Sequence, residues 1–251
     1  MTDSAGRGGE WFAAGGDDYA AYRPDYPADV ASFVAEAAPD TERAVDVGCG
    51  TGQFTRQLAA HFDEVIGVDP SADQIGHAEP GAGIDYRVGG ADHLPVPDAS
   101  VSAVTAAQAA HWFDLDAFYR QVRRVAVPGA LLALISYGAV VLDDDLAARF
   151  DRFYTDEIGR YWPPERRHVD AAYATLDFPF TRIDAPSPVI ERDWTLDQFI
   201  GYLTTWSATR RAREAGDAQS LTRLRDDLAA GWGGGTRRVR WPVTLLAAQL
   251  P

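Results

Sequence analysis

Gly48, Gly50 and Gly52 alternate through a short stretch that follows the apolar run Arg43-Ala44-Val45-Asp46-Val47 and precedes Gln53-Phe54-Thr55. A backbone without Cβ atoms can pass close to a bound molecule and take positive φ without steric penalty. The stretch therefore reads as a strand, a tight turn and a helix start, which together form a cradle for a nucleoside-like ligand. A carboxylate, Asp69, closes a second apolar run, Glu64-Val65-Ile66-Gly67-Val68, about 20 residues further on, the separation at which a strand-end acid accepts ribose hydroxyls. Ser71-Ala72-Asp73-Gln74 has the S-x-x-Q form of a capping box, so a helix starts directly behind that acid. Asp69 would also serve that helix if it bound no ligand.

Dinucleotide-binding turns are spaced G-x-G-x-x-G and hold a pyrophosphate on helix N-terminal amides. Here the third glycine comes one residue early. Asp46, two residues before the first glycine, would repel a pyrophosphate and suits a cationic amino-acid head. S-adenosylmethionine fits this pattern better than a nicotinamide dinucleotide. Asp46-Val47-Gly48-Cys49-Gly50-Thr51-Gly52 closely resembles the first motif of class I S-adenosylmethionine-dependent methyltransferases. Tyr22-Arg23-Pro24-Asp25-Tyr26-Pro27 resembles the N-terminal motif of their trans-aconitate methyltransferase-like, or type 11, group.

What the resemblance implies is methyl transfer from S-adenosyl-L-methionine, leaving S-adenosyl-L-homocysteine. Tyr19 and Arg23 would meet the methionine carboxylate, for which the planar guanidinium fork is suited; Arg23 pairing with Asp25 at the surface is the alternative. Asp46, Gly48, Cys49, Gly50, Gly52 and Gln53 would form the turn around the cofactor, with Asp69 and Pro70 at the ribose. Ala91 and Asp92 would lie beside the adenine, and Gln108 and Ala109 beside the methionine moiety. Without the resemblance, Asp92 is an ordinary loop acid.

Gln108-Ala109-Ala110-His111-Trp112-Phe113-Asp114 follows a strand of small side chains, Val101 to Ala107, and is the segment richest in possible chemistry. His111 and Trp112 would stand where a methyl acceptor approaches. Imidazole titrates near neutrality, so His111 could serve as general base; it could equally be a pocket wall. Past Gly138 the resemblance becomes less specific. Tyr137, Tyr161, Trp162, Tyr202 and Trp206, with arginines 160, 166, 167, 210 and 211 nearby, suggest a pocket for a small, flat or carboxylate-bearing molecule. For any single one of these aromatic residues, plain core packing is the competing reading.

The elements that must position these residues follow from periodicity. Apolar spacing predicts a helix over Val30 to Ala37 and another carrying Leu115, Phe118, Val122 and Val125, ended by Pro128-Gly129-Ala130. Leu131 to Tyr137 is apolar throughout, as a parallel strand buried on both faces is. Leu146, Phe150, Phe153 and Ile158 suggest one long helix, Ser187 to Trp194 a strand, Leu196 to Trp206 a capped helix, and Val239 to Leu250 a final strand. Alternating strands and helices predict a doubly wound, Rossmann-like α/β sheet. The resemblance makes it seven-stranded and mostly parallel, with an antiparallel last strand and a helical lid in the C-terminal half. The expected organisation is a segment over the cofactor (1–40), a cofactor-binding core (41–140), and a lid or substrate region with the last two strands (141–251).

Composition narrows the function. Net charge is −14, so a nucleic acid held through phosphates would bind against the overall field. All 23 basic side chains are Arg, which excludes Schiff-base lysines, and the absence of Asn excludes asparagine oxyanion donors. The five histidines form no H-x-x-x-H, so no metal is expected. One cysteine allows no internal disulfide, and the longest apolar run, Ala130 to Leu142, falls short of the roughly 20 residues of a spanning helix. Taken with the resemblance, which implies methyl transfer to an O, N or S atom of a small molecule, these features predict a cytoplasmic monomer or homodimer acting away from nucleic acid and membrane. A tRNA-modifying methyltransferase, a nicotinamide oxidoreductase and a non-catalytic cofactor-binding protein are the competing functions.

Overall fold

In the computed structural model, residues 24–251 are described. After α1 (Ala28–Ala37) the chain alternates β1 (Arg43–Val47), α2 (Gln53–Leu58), β2 (Glu64–Asp69), α3 (Ala72–Gly76) and β3 (Ile84–Val88). It continues through β4 (Val101–Ala107), α4 (Leu115–Val125) and β5 (Ala126–Tyr137). The C-terminal half holds α5 (Asp144–Arg152), α6 (Arg166–Asp170), β6 (Val189–Trp194), α7 (Leu196–Thr204), α8 (Ser207–Glu214), α9 (Gln219–Trp232) and β7 (Arg237–Gln249). One sheet runs β3-β2-β1-β4-β5-β7-β6, its first five strands parallel and β7 antiparallel to both neighbours. Strand order reverses direction at β1, so the ends of β1 and β4 open the crevice where α/β sheets bind ligands.

Side chains alternate across the sheet, and both faces are covered. Leu131, Ala133 and Ile135 join one core with α1, α2 and the lid helices; Leu132 and Leu134 join the other with Phe118, Val122 and Val125 of α4. Local signals place the helices. Asp114 caps α4 by accepting from the Ala117 amide at 3.0 Å, and Thr195 with Gln198 forms a full capping box at α7.

Two expected boundaries move. Helix α4 stops at Val125 rather than at Pro128-Gly129-Ala130, because the residue before a proline is pushed to extended backbone. Residues 126–130 are already part of β5, and a bulge opposite Val101 to Ala103 absorbs the extra length. The expected long helix breaks as well. Leu146, Phe150, Phe153 and Ile158 are all buried, yet the last two are five residues apart, a spacing the α-helix does not hold on one face. A π-helical turn, Phe153–Glu157, meets it, with the Ile158 amide donating to the Phe153 carbonyl at 3.0 Å.

Candidate cofactor and acceptor site

The glycine turn is tied to β2 before any ligand is considered. Amides of Gly48 and Cys49 donate to the Val68 carbonyl at 2.7 and 3.1 Å, and the Gly50 amide donates to Asp69 Oδ2 at 2.9 Å. The other oxygen of Asp69 accepts from the Ser71 amide at 2.9 Å. Asp69 thus binds the turn to the start of α3, while each carboxylate oxygen keeps a further lone pair. Burial, against those two amide donors, raises its pKa. At Gly50 the backbone has φ 56°, and among the described residues a Cβ there would meet only Gln74 Oε1, at 3.6 Å. Among the described residues the turn therefore leaves space beside Gly50, which fits an adenosyl group.

Asp46 has a different surrounding from the one its charge suggests. It is fully buried, with Oδ2 accepting from the Thr55 hydroxyl and Oδ1 from the Thr105 hydroxyl, each at 2.8 Å. It stands under the turn as a fixed charge rather than at its surface. Cys49 packs its sulfur against Gly67, and burial followed by the charges of Asp46 and Asp69 pushes its thiol pKa up, so it carries no thiolate chemistry.

Gln53 also takes a role that its position in the motif does not indicate. Its amide nitrogen donates to Asp25 Oδ1 at 2.7 Å and to the Pro24 carbonyl at 3.3 Å, while Gln57 holds the Tyr26 carbonyl at 2.9 Å. The N-terminal approach is thereby clasped to α2. Tyr19 and Arg23 lie outside the described residues.

Around the rim, Pro70 is exposed beside Asp69. The Gly89 amide donates to the Asp69 carbonyl at 3.0 Å, so the loop carrying Ala91 and exposed Asp92 leaves from beside the end of β2. Gln108 has φ 54°, a left-handed conformation that non-glycine residues keep where the surroundings hold them, often at functional sites. Its amide nitrogen donates to the Tyr137 carbonyl at 2.9 Å, and among the described residues its amide oxygen has no partner. Ala109 packs on Gly48, joining the ends of β4 and β1.

His111 and Trp112 lie in a short 3-10 turn, Ala110–Trp112, with ring centroids 4.9 Å apart. His111 Nδ1 is 3.0 Å from the hydroxyl of Tyr173, and α6 packs on this turn. The helix and Tyr173 therefore reach the crevice at the end of β4. Of the expected pocket aromatics, Trp162, Tyr202 and Trp206 cluster, with centroids 5.2 Å apart for Trp162 and Trp206 and 5.5 Å for Tyr202 and Trp206. Tyr202 and Trp206 are buried, and Tyr202 accepts from the Trp241 indole at 3.0 Å, so both belong largely to the core. Tyr137 is buried against Tyr26. Tyr161 turns to Arg160, which donates to its hydroxyl at 2.7 Å, and does not join the cluster.

Sequence reasoning missed Tyr154, Ser136 and Tyr173, and did not single out Arg166 among the lid arginines. Arg166 lies 4.7 Å over the Trp162 ring, and its Nε donates to the Tyr154 hydroxyl at 3.0 Å and to Asp170 at 2.9 Å. The i, i+4 spacing of Arg166 and Asp170 was readable; their joint contact with Tyr154 was not.

A doubly wound sheet with a glycine cradle between two strand-end acids defines a nucleoside-cofactor-binding α/β enzyme. Comparisons name the class. Residues 45–134 match the family described as a methyltransferase domain. Two proteins described as putative methyltransferases are similar over most of the chain. One, from Dictyostelium discoideum, is 32% identical over 84% of this chain and 81% of its own. The other, a type II methyltransferase structure from Anaeromyxobacter dehalogenans, is 42% identical with a TM-score of 0.86, covering 91% of this chain and 98% of its own. A probable S-adenosylmethionine-dependent methyltransferase of Saccharomyces cerevisiae is 32% identical over 41% of this chain and 38% of its own. The chain belongs to the class I S-adenosylmethionine-dependent methyltransferases.

Proposed function

We propose that this methyltransferase acts on an O, N or S atom of a small-molecule acceptor, carboxylate-bearing or flat and aromatic, with S-adenosylmethionine as donor. The observation that carries the reading is the packing of α6 on the His111 and Trp112 turn, which sets the lid against the mouth of the crevice. A polynucleotide needs an open, basic approach, and net charge here is −14. Gly50, Asp69, the Ala91 and Asp92 loop and Gln108 hold the cofactor; Asp46 supplies negative charge from beneath. When bound, the cofactor brings a methyl group already activated on a sulfonium. The chain's own contribution is positioning and exclusion of water, which can supply several kcal/mol without an obligatory base.

Among the described residues no helix is long and apolar enough to cross a membrane. With its single cysteine, which can form no internal disulfide, the enzyme suits a reducing cytoplasm. Labelled S-adenosylmethionine incubated with a pool of small metabolites and, separately, with tRNA tests the reading. Label in a small molecule supports it, and label only in tRNA overturns it.

A further inference from the structure

Arginines of this chain differ in how they spend their donors. Arg124 uses both terminal nitrogens, on the Leu94 and Val96 carbonyls at 2.8 Å each and on Asp98 at 2.6 Å, and so ties a loop to a helix. Arg166, at the start of α6, does not. Its Nε donates to the Tyr154 hydroxyl at 3.0 Å and to Asp170 at 2.9 Å, and among the described residues its terminal nitrogens make no hydrogen bond. Nor is this a solvated head: the side chain is 19% exposed, against 71% for Arg160.

Two rings flank the cation. Its central carbon lies 4.7 Å over the Trp162 ring and 5.8 Å from the centre of the Tyr154 ring. A guanidinium stacked on an indole presents its donors at its edges, and the edge at Nε is filled by Tyr154 and Asp170. What remains is the fork of Nη1 and Nη2, four N–H groups in one plane, which matches the two oxygens of a carboxylate. In the ring beneath, the Trp162 indole N–H is buried and has no acceptor among the described residues. Donors held out of water cost desolvation until an acceptor meets them. Helix α6 is five residues long, about 7.5 Å from end to end, and packs on the His111 and Trp112 turn, so Arg166 stands beside the crevice at the end of β4.

We infer that Arg166 is a specificity-determining residue that anchors a carboxylate of the methyl acceptor, with the Trp162 indole N–H as a second donor. This rests on the methyltransferase reading above and narrows it to an acceptor that carries a carboxylate. Asp170, itself accepting from the Tyr154 hydroxyl at 2.6 Å, holds the Nε edge and keeps the guanidinium in place over Trp162.

The full chain, saturated with S-adenosylhomocysteine, is titrated calorimetrically with benzoate and with hexanoate, each against its neutral amide. At least one acid is expected to bind about tenfold or more tightly than its amide, the range for one charged hydrogen-bonded partner. Binding of neither acid, or equal binding of acid and amide, overturns the inference. In Arg166→Gln the preference for acid over amide is expected to vanish, with Arg166→Lys keeping part of it. A structural loss would weaken acid and amide alike, so a preference that survives in Arg166→Gln overturns the role of Arg166. If Arg166→Gln does not fold, Asp170→Asn removes the competing charge and still offers Tyr154 an acceptor; the preference is then expected to rise severalfold, and no rise overturns the inference. Failure of the methyltransferase reading would appear separately, as no heat from S-adenosylhomocysteine itself, with the acid preference still measurable in the chain without it.

Discussion

Thr105 on β4 stands beside Asp46 on β1, and its hydroxyl donates to Asp46 Oδ1 at 2.8 Å. Together with Thr55 it holds a carboxyl that has no solvent contact. Burial outweighs both hydroxyls and, with a smaller contribution from Asp69, pushes the Asp46 pKa from 3.8 up to about 6. The folded value lies above the unfolded one, so folding favours the protonated form. Stability is therefore greatest below the unfolded pKa and falls as pH rises through about 6, by about 3 kcal/mol for a shift of this size. Asp69, raised mainly by burial as well, adds to the same slope. Urea unfolding at pH 5 and pH 7.5 checks this: wild type is expected to be more stable at the lower pH, and Asp46→Asn to flatten the slope.

The same carboxylate makes a binding prediction of opposite sign. A cationic ligand group near Asp46 favours its ionised form, so S-adenosylhomocysteine is expected to bind more tightly as pH rises through about 6. Asp46→Asn is expected to weaken binding by about tenfold or more while gaining stability at neutral pH. Calorimetry showing wild-type affinity in that variant would remove Asp46 from any part in cofactor recognition.

The strand and helix order was readable because each element carries its own period, and the cradle because three glycines and an acid sit close together in sequence. Longer connections left no such trace. Nothing around Tyr173 in the chain points to His111, 62 residues earlier. Gln53 sits inside the motif, yet its amide goes to Asp25, 28 residues back. The stripe Phe199, Leu203 and Trp206 announced burial but not what would cover it. Whether an aromatic residue lines a pocket or a core depends on which distant element, here β7 with Trp241, arrives against it.

Gly52 is required by Tyr86 as much as by any ligand. A Cβ at Gly52 would lie 2.6 Å from Tyr86 Cζ, and φ there is 82°. Gly52→Ala is expected to cost about 2–4 kcal/mol from strain and overlap combined. Among the described residues the buried Tyr86 hydroxyl has no hydrogen-bond partner, so Tyr86→Phe is expected to be neutral or to stabilise by up to about 1 kcal/mol. In a double variant with Tyr86→Ala, the cost of Gly52→Ala should shrink. Full additivity in chemical denaturation would show that the ring does not decide the third glycine.

Asp69 separates turn-building from cofactor binding. Both oxygens accept backbone amides, from Gly50 and from Ser71. In Asp69→Asn the side-chain NH2 must oppose one of those N–H groups, which loosens the turn where the ribose is expected. The expected loss in S-adenosylhomocysteine affinity is about 10–100-fold, the range of one charged hydrogen-bonded partner. Circular dichroism should stay as in wild type, since β2 and α3 keep their own bonds. Unchanged affinity would move the ribose away from Asp69.

Trp206 and Trp162 touch, and their replacement should have unlike effects. Trp206 is buried, within 5.2–6.1 Å of Trp162, Tyr202, Tyr154 and Phe150 by ring centroids. Trp206→Ala is expected to cost about 3–5 kcal/mol, the loss for a large aromatic in a packed core. Trp162 is only half-buried, carries Arg166 over its face, and has a buried indole N–H without an acceptor among the described residues. Trp162→Phe keeps a ring under the guanidinium and removes the orphan donor, so stability should stay within about 1 kcal/mol of wild type. If a bound acceptor supplies the partner that this N–H lacks, the same change raises KM for the acceptor several-fold at unchanged kcat, the signature of lost uniform binding. Melting curves and labelled-methyl kinetics on the two variants measure both halves, and a Trp162→Phe enzyme that melts early with unaltered KM would make Trp162 a core residue like its neighbour.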